Sequence, residues 1–173
     1  MQYGYQIKVK NTHDLLLRGL RYFLGDKAVW LPEYDQIADW MSDNKGKGLL
    51  CVGGCGRGKT VICQRFLPLV FQRLLRLNYN CYDASQMLEQ MEDIKESWAV
   101  CIDDIGSEGR FMVYGDEKKP LWEIIDHAEK NEHLLVLTTN LNIDELENKY
   151  GVRTIDRLIA ITRLVAFKGD SLR

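Results

Sequence analysis

The chain has 173 residues, 46% hydrophobic and 28% charged, with a formal net charge of -2. That length suits one domain with a substantial core, and the composition excludes a disordered or fibrous chain. The near-neutral balance gives no overall pull toward nucleic acid, so any such contact must come from a local basic face.

In chain order, "HDLLLRGLRYFLG" (13–25) carries Leu16, Leu20, Phe23 and Leu24 at helical spacing and stops at Gly25. The segment "KAVWLP" is extended, and Pro32 opens a second helix, "PEYDQIADWMSDN", followed by a loop over 44–48. The apolar run 49–53, closed by glycine, reads as a buried strand. Residues 59–77 are helical in pattern, with a kink or break predicted near 64–68 by Pro68. A strand over 79–84 precedes a helix over 85–94, for which Ser85 is the expected N-cap. Another buried strand spans 98–103, and residues 105–119 form the longest loop. Pro120 starts a helix over 120–131, and a strand follows over 133–139. Two helices, "IDELENKYG" and "RTIDRLIA", lead to a last strand over 163–169. Strands alternating with helices predict an α/β sandwich around a mostly parallel sheet. No apolar run approaches the ~18 residues needed to cross a membrane, and "MQYGYQIKVK" lacks the core of a secretory signal. The five cysteines (51, 55, 63, 81 and 101) form no C-x-x-C pair and read as reduced thiols of a cytoplasmic protein.

One strand–loop–helix junction carries chemistry. In "GGCGRGKT", Gly53, Gly58, Lys59 and Thr60 satisfy G-x-x-x-x-G-K-[ST]. Backbone N–H groups of Gly53, Gly54, Cys55, Gly56, Arg57, Gly58 and the following Val61 are candidates to cradle phosphates, helped by the helix N-terminus. Lys59 would reach the β- and γ-phosphates of ATP, and Thr60 would ligate Mg²⁺. The side chains of Cys55 and Arg57 should point away from the phosphates. A magnesium triphosphate site also needs an acid at the end of a nearby strand, and "WAVCIDDIG" supplies Asp103 for the metal shell and Asp104 as general base. Thr139 and Asn140, closing "LLVLTTN", are placed to reach the γ-phosphate or its water, while Asn140 also suits a turn or N-cap role. The absence of N-K-x-D argues against a base-reading switch GTPase.

Beyond these motifs, "GKGLLCVGGCGRGKT", "CIDDIGSE", "VLTTNLNIDELENKYGVRTIDRL" and "FKGDSLR" resemble the ATPase domain of DnaC/DnaI-type helicase loaders, AAA+ proteins to which the IstB-type transposition ATPases are close. The resemblance covers roughly residues 30–173 and leaves 1–29 as a short N-terminal helical segment. It implies a three-layer P-loop NTPase with a five-stranded sheet in the order 5-1-4-3-2, without a C-terminal lid domain. It further implies action as a homo-oligomer on single-stranded DNA, a replicative helicase or a transposase. An arginine of one subunit would complete the neighbour's ATP site. Arg153 and Arg157 match the motif, with Arg157 favoured as the later of the two, unless they are surface charges paired with Asp156 or Glu147. Arg173 would act on the bound phosphates. Asp104, where many relatives carry glutamate, implies slow intrinsic turnover. Trp30, Tyr34 and Ile37 are candidates either to flank the base or to fill the core. Arg110, Lys118 and Lys119 with Phe111 and Tyr114 suit either a single-stranded DNA contact or a solvated loop. A P-loop kinase and a non-hydrolysing nucleotide-gated adaptor are the competing classes.

Overall fold

A computed structural model describes residues 5–169 and 171. Five parallel strands form the central sheet: β1 (Gly48–Gly53), β2 (Asn80–Asp83), β3 (Ala99–Asp103), β6 (Leu134–Thr139) and β7 (Thr162–Phe167). Their order is β2-β3-β6-β1-β7, which counted over these five strands is the expected 5-1-4-3-2 read from the other edge. The fold is a three-layer α/β sandwich, with helices on both faces of the sheet.

Alternation along each strand divides the core in two. Leu49, Cys51, Ala99, Cys101, Leu134 and Val136 face α1 (Thr12–Leu24), α2 (Pro32–Ser42) and the helix over 61–75, α3. Their neighbours Leu50, Val52, Val100, Ile102, Leu135 and Leu137 face the other layer, α4 (Met91–Glu96), α5 (Pro120–Asn131), α6 (Ile143–Tyr150) and α7 (Val152–Ile161). A strand buried on both faces has no polar side to mark, so it reads as an unbroken apolar run. The expected boundary after residue 29 does not interrupt the packing. Leu16 and Leu20 of α1 share the core of β1, and Ile7 and Val9 ahead of that helix are buried with them. Hydrogen bonds from Val9 N–H to the Met41 carbonyl (3.0 Å) and from Ile7 N–H to Asn44 Oδ1 (2.9 Å) pin this segment beside α2.

Three elements differ from the sequence expectation. Helix α3 runs as π-helical Val61–Phe66, α-helical Leu67–Val70 and π-helical Phe71–Leu75. Pro68 does not break it, because wider turns on both sides absorb the missing N–H. The segment 85–94 is not one helix. Asp83, rather than Ser85, is the cap: its carboxylate accepts the Ser85 N–H, starting the 3₁₀ turn Ala84–Gln86, and α4 begins only at Met91. Within 105–119, Phe111–Val113 (β4) and Asp116–Lys118 (β5) form an antiparallel hairpin. Its turn places Tyr114 and Gly115 at φ 50° and 89°, the double positive-φ geometry that matches strand twist in two-residue hairpins.

Candidate functional site

The carboxyl ends of β1, β3 and β6 lie side by side, so the residues following each strand converge. A cavity of about 530 Å³ sits there, lined by Leu24, Lys27, Tyr34, Cys55, Gly56, Gly58, Lys59, Thr60, Val61, Asp103, Asp104, Thr138 and Asn140. Open parallel sheets place ligands in this position, outside the carboxyl ends of the strands.

The glycine loop is shaped by close approaches. Gly53, at φ 124°, lies where a Cβ would sit 2.1 Å from the Phe167 carbonyl oxygen of the neighbouring strand; only glycine fits. Gly58, at φ 89°, has the Tyr34 hydroxyl 2.6 Å from where its Cβ would be. Lys59 is buried, and its ammonium donates to the Gly53 and Gly54 carbonyls (2.6 Å each) and to Asn140 Oδ1 (3.2 Å). Burial lowers the pKa of the ammonium below the ordinary lysine range, against the pull of nearby thiols and of Asp104 and Asp103.

Around it the carboxylates are tied together. Thr60 Oγ1 lies 3.2 and 3.3 Å from the two Asp103 oxygens. Thr138 donates to Asp103 Oδ1 (2.6 Å) and accepts the Asp104 N–H (2.9 Å). Asn140 donates to Asp104 Oδ1 (2.7 Å), linking it to Lys59. Asp104 adopts φ 59°, a left-handed conformation that aspartate tolerates better than most residues and that recurs at functional sites. The Thr60 hydroxyl and the Asp103 carboxylate are hard oxygen donors. Such a pair fits Mg²⁺, which keeps several waters and shares its shell with phosphates. Among the described residues no group of three or more His, Cys, Asp or Glu gathers to form a dedicated metal cage.

Lys59, Thr60, Asp103, Asp104 and Asn140 thus come together as the sequence suggested, but two expectations change. Thr139 is fully buried and turns away, donating to the Ile105 carbonyl (2.6 Å). Thr138, which sequence reasoning passed over, faces the carboxylates. The signal was available: residues two apart share a strand face, so Asn140 in the site implies Thr138 rather than Thr139. The N-cap of α6 is Asn142, in a capping box with Glu145, so Asn140 carries no cap. The Arg57 side chain points behind the loop to Glu33, and Cys55 is exposed.

The remaining candidates lie apart. Ile37 is core, Trp30 is partly buried with its indole N–H on Asp35 (3.2 Å), and Tyr34 walls the cavity. Arg157 is held within the chain by Asp126 (2.9 Å) and Glu129, with its guanidinium 5.0 Å from the Trp122 ring centre. Its partners are therefore on α5, not Asp156 or Glu147. Arg153 is exposed and, among the described residues, holds no carboxylate. Arg173 lies outside the described residues. A second cavity of about 600 Å³ lies beside the hairpin, lined by Phe111, Lys118, Trp122 and Tyr150 among others. All five cysteines are free thiols, and Cys51 Sγ lies 4.0 Å from Cys63 Sγ in the core. No described helix is long and apolar enough to cross a membrane.

Neither a protein-family model nor a curated protein matches this sequence. Solved structures do. The DnaC helicase loader superposes with a TM-score of 0.59 at 19% identity, over 93% of both chains. DnaI gives 0.58 at 17% identity, over 92% of this chain and 88% of its own. The chain has the fold of the DnaC/DnaI-type helicase loaders. The helicase-loader fold extends to the replication initiator DnaA: the Aquifex aeolicus protein, solved with AMPPCP, superposes at 0.56 with 17% identity over 79% of this chain and 46% of its own. In this fold the glycine loop after β1 and the acids after β3 are separated by β6, whose end supplies Thr138 and Asn140.

Proposed function

We propose that the chain is an ATP-binding, Mg²⁺-dependent ATPase of DNA replication, acting like the helicase loaders whose fold it has. The observation that carries this reading is the junction of Lys59, Thr60, Asp103, Asp104 and Asn140 at three neighbouring strand ends. Lys59 leaves the Gly53 and Gly54 carbonyls to hold the β- and γ-phosphates while the loop amides take the remaining oxygens. Thr60 and Asp103 would hold Mg²⁺, which would supply charge neutralisation at the phosphates. Asp104 accepts a proton from the attacking water, and Asn140, bonded to it, orients that water. With the short aspartate arm, intrinsic turnover is slow.

The active form is a homo-oligomer whose neighbouring subunit supplies an arginine to each site. Arg153 suits that role better than Arg157, whose charge is already balanced by Asp126 and Glu129. Partners are single-stranded DNA and a replicative helicase, or a transposase if the chain acts as an IstB-like ATPase; its place of action is the cytoplasm. A phosphotransfer reading is weaker, because the segment 105–119 offers one arginine and Arg110 lies 3.9 Å from Glu117.

Radiolabelled ATP, incubated with and without single-stranded DNA and small acceptors, separates the classes. DNA-stimulated phosphate release supports the loader-like reading, a labelled acceptor supports a kinase, and binding without turnover supports a gated adaptor. Lys59→Ala is expected to lower turnover at least ~100-fold, the scale seen when a preorganised charge at the transition state is removed. Intact activity in that variant sinks the site assignment.

A further inference from the structure

Arg57, like Cys55, is a loop side chain that phosphate binding leaves without a role, and it is gripped from behind. Its Nε and Nη2 reach Glu33 Oε1 at 2.7 and 2.6 Å, and Arg57 and Glu33 are only 7% and 5% exposed. The next residue of α2, Tyr34, donates its hydroxyl to the Arg57 carbonyl at 2.9 Å. Two consecutive residues of the first turn of α2 therefore hold one residue of the loop, by its side chain and by its backbone.

The backbone contact has a directional consequence. No described peptide is cis, and in a trans peptide the C=O and N–H point in opposite directions. With the Arg57 carbonyl turned to Tyr34, the Gly58 N–H is turned away from that hydroxyl, and Gly58 and Lys59 both line the cavity. The Tyr34 hydroxyl also sits against the Gly58 Cα, in the space a Cβ would need. We propose that Tyr34 is a positioning residue of the phosphate loop: its hydroxyl fixes the Arg57–Gly58 peptide with the Gly58 amide presented to phosphate, and Glu33 anchors Arg57 to keep that peptide in reach. This rests on the nucleotide-binding reading above and adds the element that preorganises it. Burial, with the Glu33 charge beside it, raises the Tyr34 phenol to about 12, so it remains a donor at neutral pH. A preformed cradle binds more tightly because the ordering cost is met before the ligand arrives.

Tyr34→Phe removes the hydroxyl and keeps the ring; breaking the buried ion pair is more disruptive. The test compares wild type and Tyr34→Phe in two assays: hydrogen exchange across residues 53–61 without nucleotide, and calorimetric binding of Mg·ADP and Mg·ATP, with kcat at saturating ATP. Tyr34→Phe should speed exchange in the loop and weaken both nucleotides about fivefold, the value of one hydrogen bond. Its kcat should remain within about twofold, because the bond acts on the cradle and not on the attacking water. Unchanged exchange and affinity in Tyr34→Phe, with normal wild-type binding, overturns the clamp and leaves the nucleotide reading standing. Absence of wild-type binding overturns both. Equal losses of kcat, affinity and thermal stability make Tyr34 a packing residue instead. Should Tyr34→Phe fail to fold, Tyr34→Met, which also removes the hydroxyl and leaves the Glu33–Arg57 pair in place, is held to the same outcomes.

Discussion

Thr138 and Thr139 are adjacent and chemically identical, yet one bonds the carboxylate of Asp103 and the other the carbonyl of Ile105. The pleat alone separates them, so residue type was legible in the sequence while role depended on register. Tyr34 shows the same from the opposite side: helical spacing marked it for the core and the family resemblance offered the base as an alternative, but only tertiary packing placed its hydroxyl on Arg57. Its pKa is raised from 10.0 to about 12, mainly by burial. The fold favours the neutral phenol, so this contribution is complete below pH 10 and is lost as pH rises through 12. The stability difference between wild type and Tyr34→Phe should therefore shrink between about pH 10 and 12 in urea denaturation. Parallel pH profiles for the two proteins would refute it.

At the scale of elements, apolar runs were the readable part and caps were not: the sequence offered Ser85 and Asn140 where Asp83 and Asn142 are the caps. The helix read from "IDELENKYG" is capped by Asn142, which accepts the Glu145 N–H while the Glu145 carboxylate accepts the Asn142 N–H. Replacing that cap, Asn142→Ala, should cost about 1 kcal/mol, lowering Tm by roughly 2–4 °C in a domain of this size; an unchanged melting curve contradicts the assignment. Helix α3 was harder. Pro68 predicts an interruption from local rules, but Ile62, Cys63, Phe66, Leu67, Val70 and Phe71 all enter the core. Burial of six apolar side chains, each contributing on the order of 1.5–3 kcal/mol, outweighs one lost hydrogen bond. The hairpin at 111–118 escaped notice because its charged, glycine-bearing sequence has no alternation, and its faces do not fill a core.

Across the whole molecule, the two arginines of "YGVRTIDRL" separate. Arg157 is bound to α5 through Asp126, Glu129 and Trp122, whereas Arg153 stands exposed at the start of α7. Arg157→Ala is expected to lower Tm while Arg153→Ala does not. In DNA-stimulated turnover, Arg153→Ala should lose activity that returns when it is mixed with Lys59→Ala, since each then supplies what the other lacks. No recovery on mixing would argue against a shared site. The sequence by itself determined the fold class, the five strands in their order through resemblance, the glycine loop, and the acids that accompany it. Apart from the strand order, which the resemblance implied, these are written in local patterns: motif spacing, clustered glycines, apolar runs with a polar end. Only the tertiary structure decided which threonine faces Asp103, which arginine is already paired, and what holds Arg57. Those depend on contacts between residues far apart in the chain, such as Glu33 with Arg57 and Asp126 with Arg157, and a contact of that kind leaves no periodicity in either partner's neighbourhood.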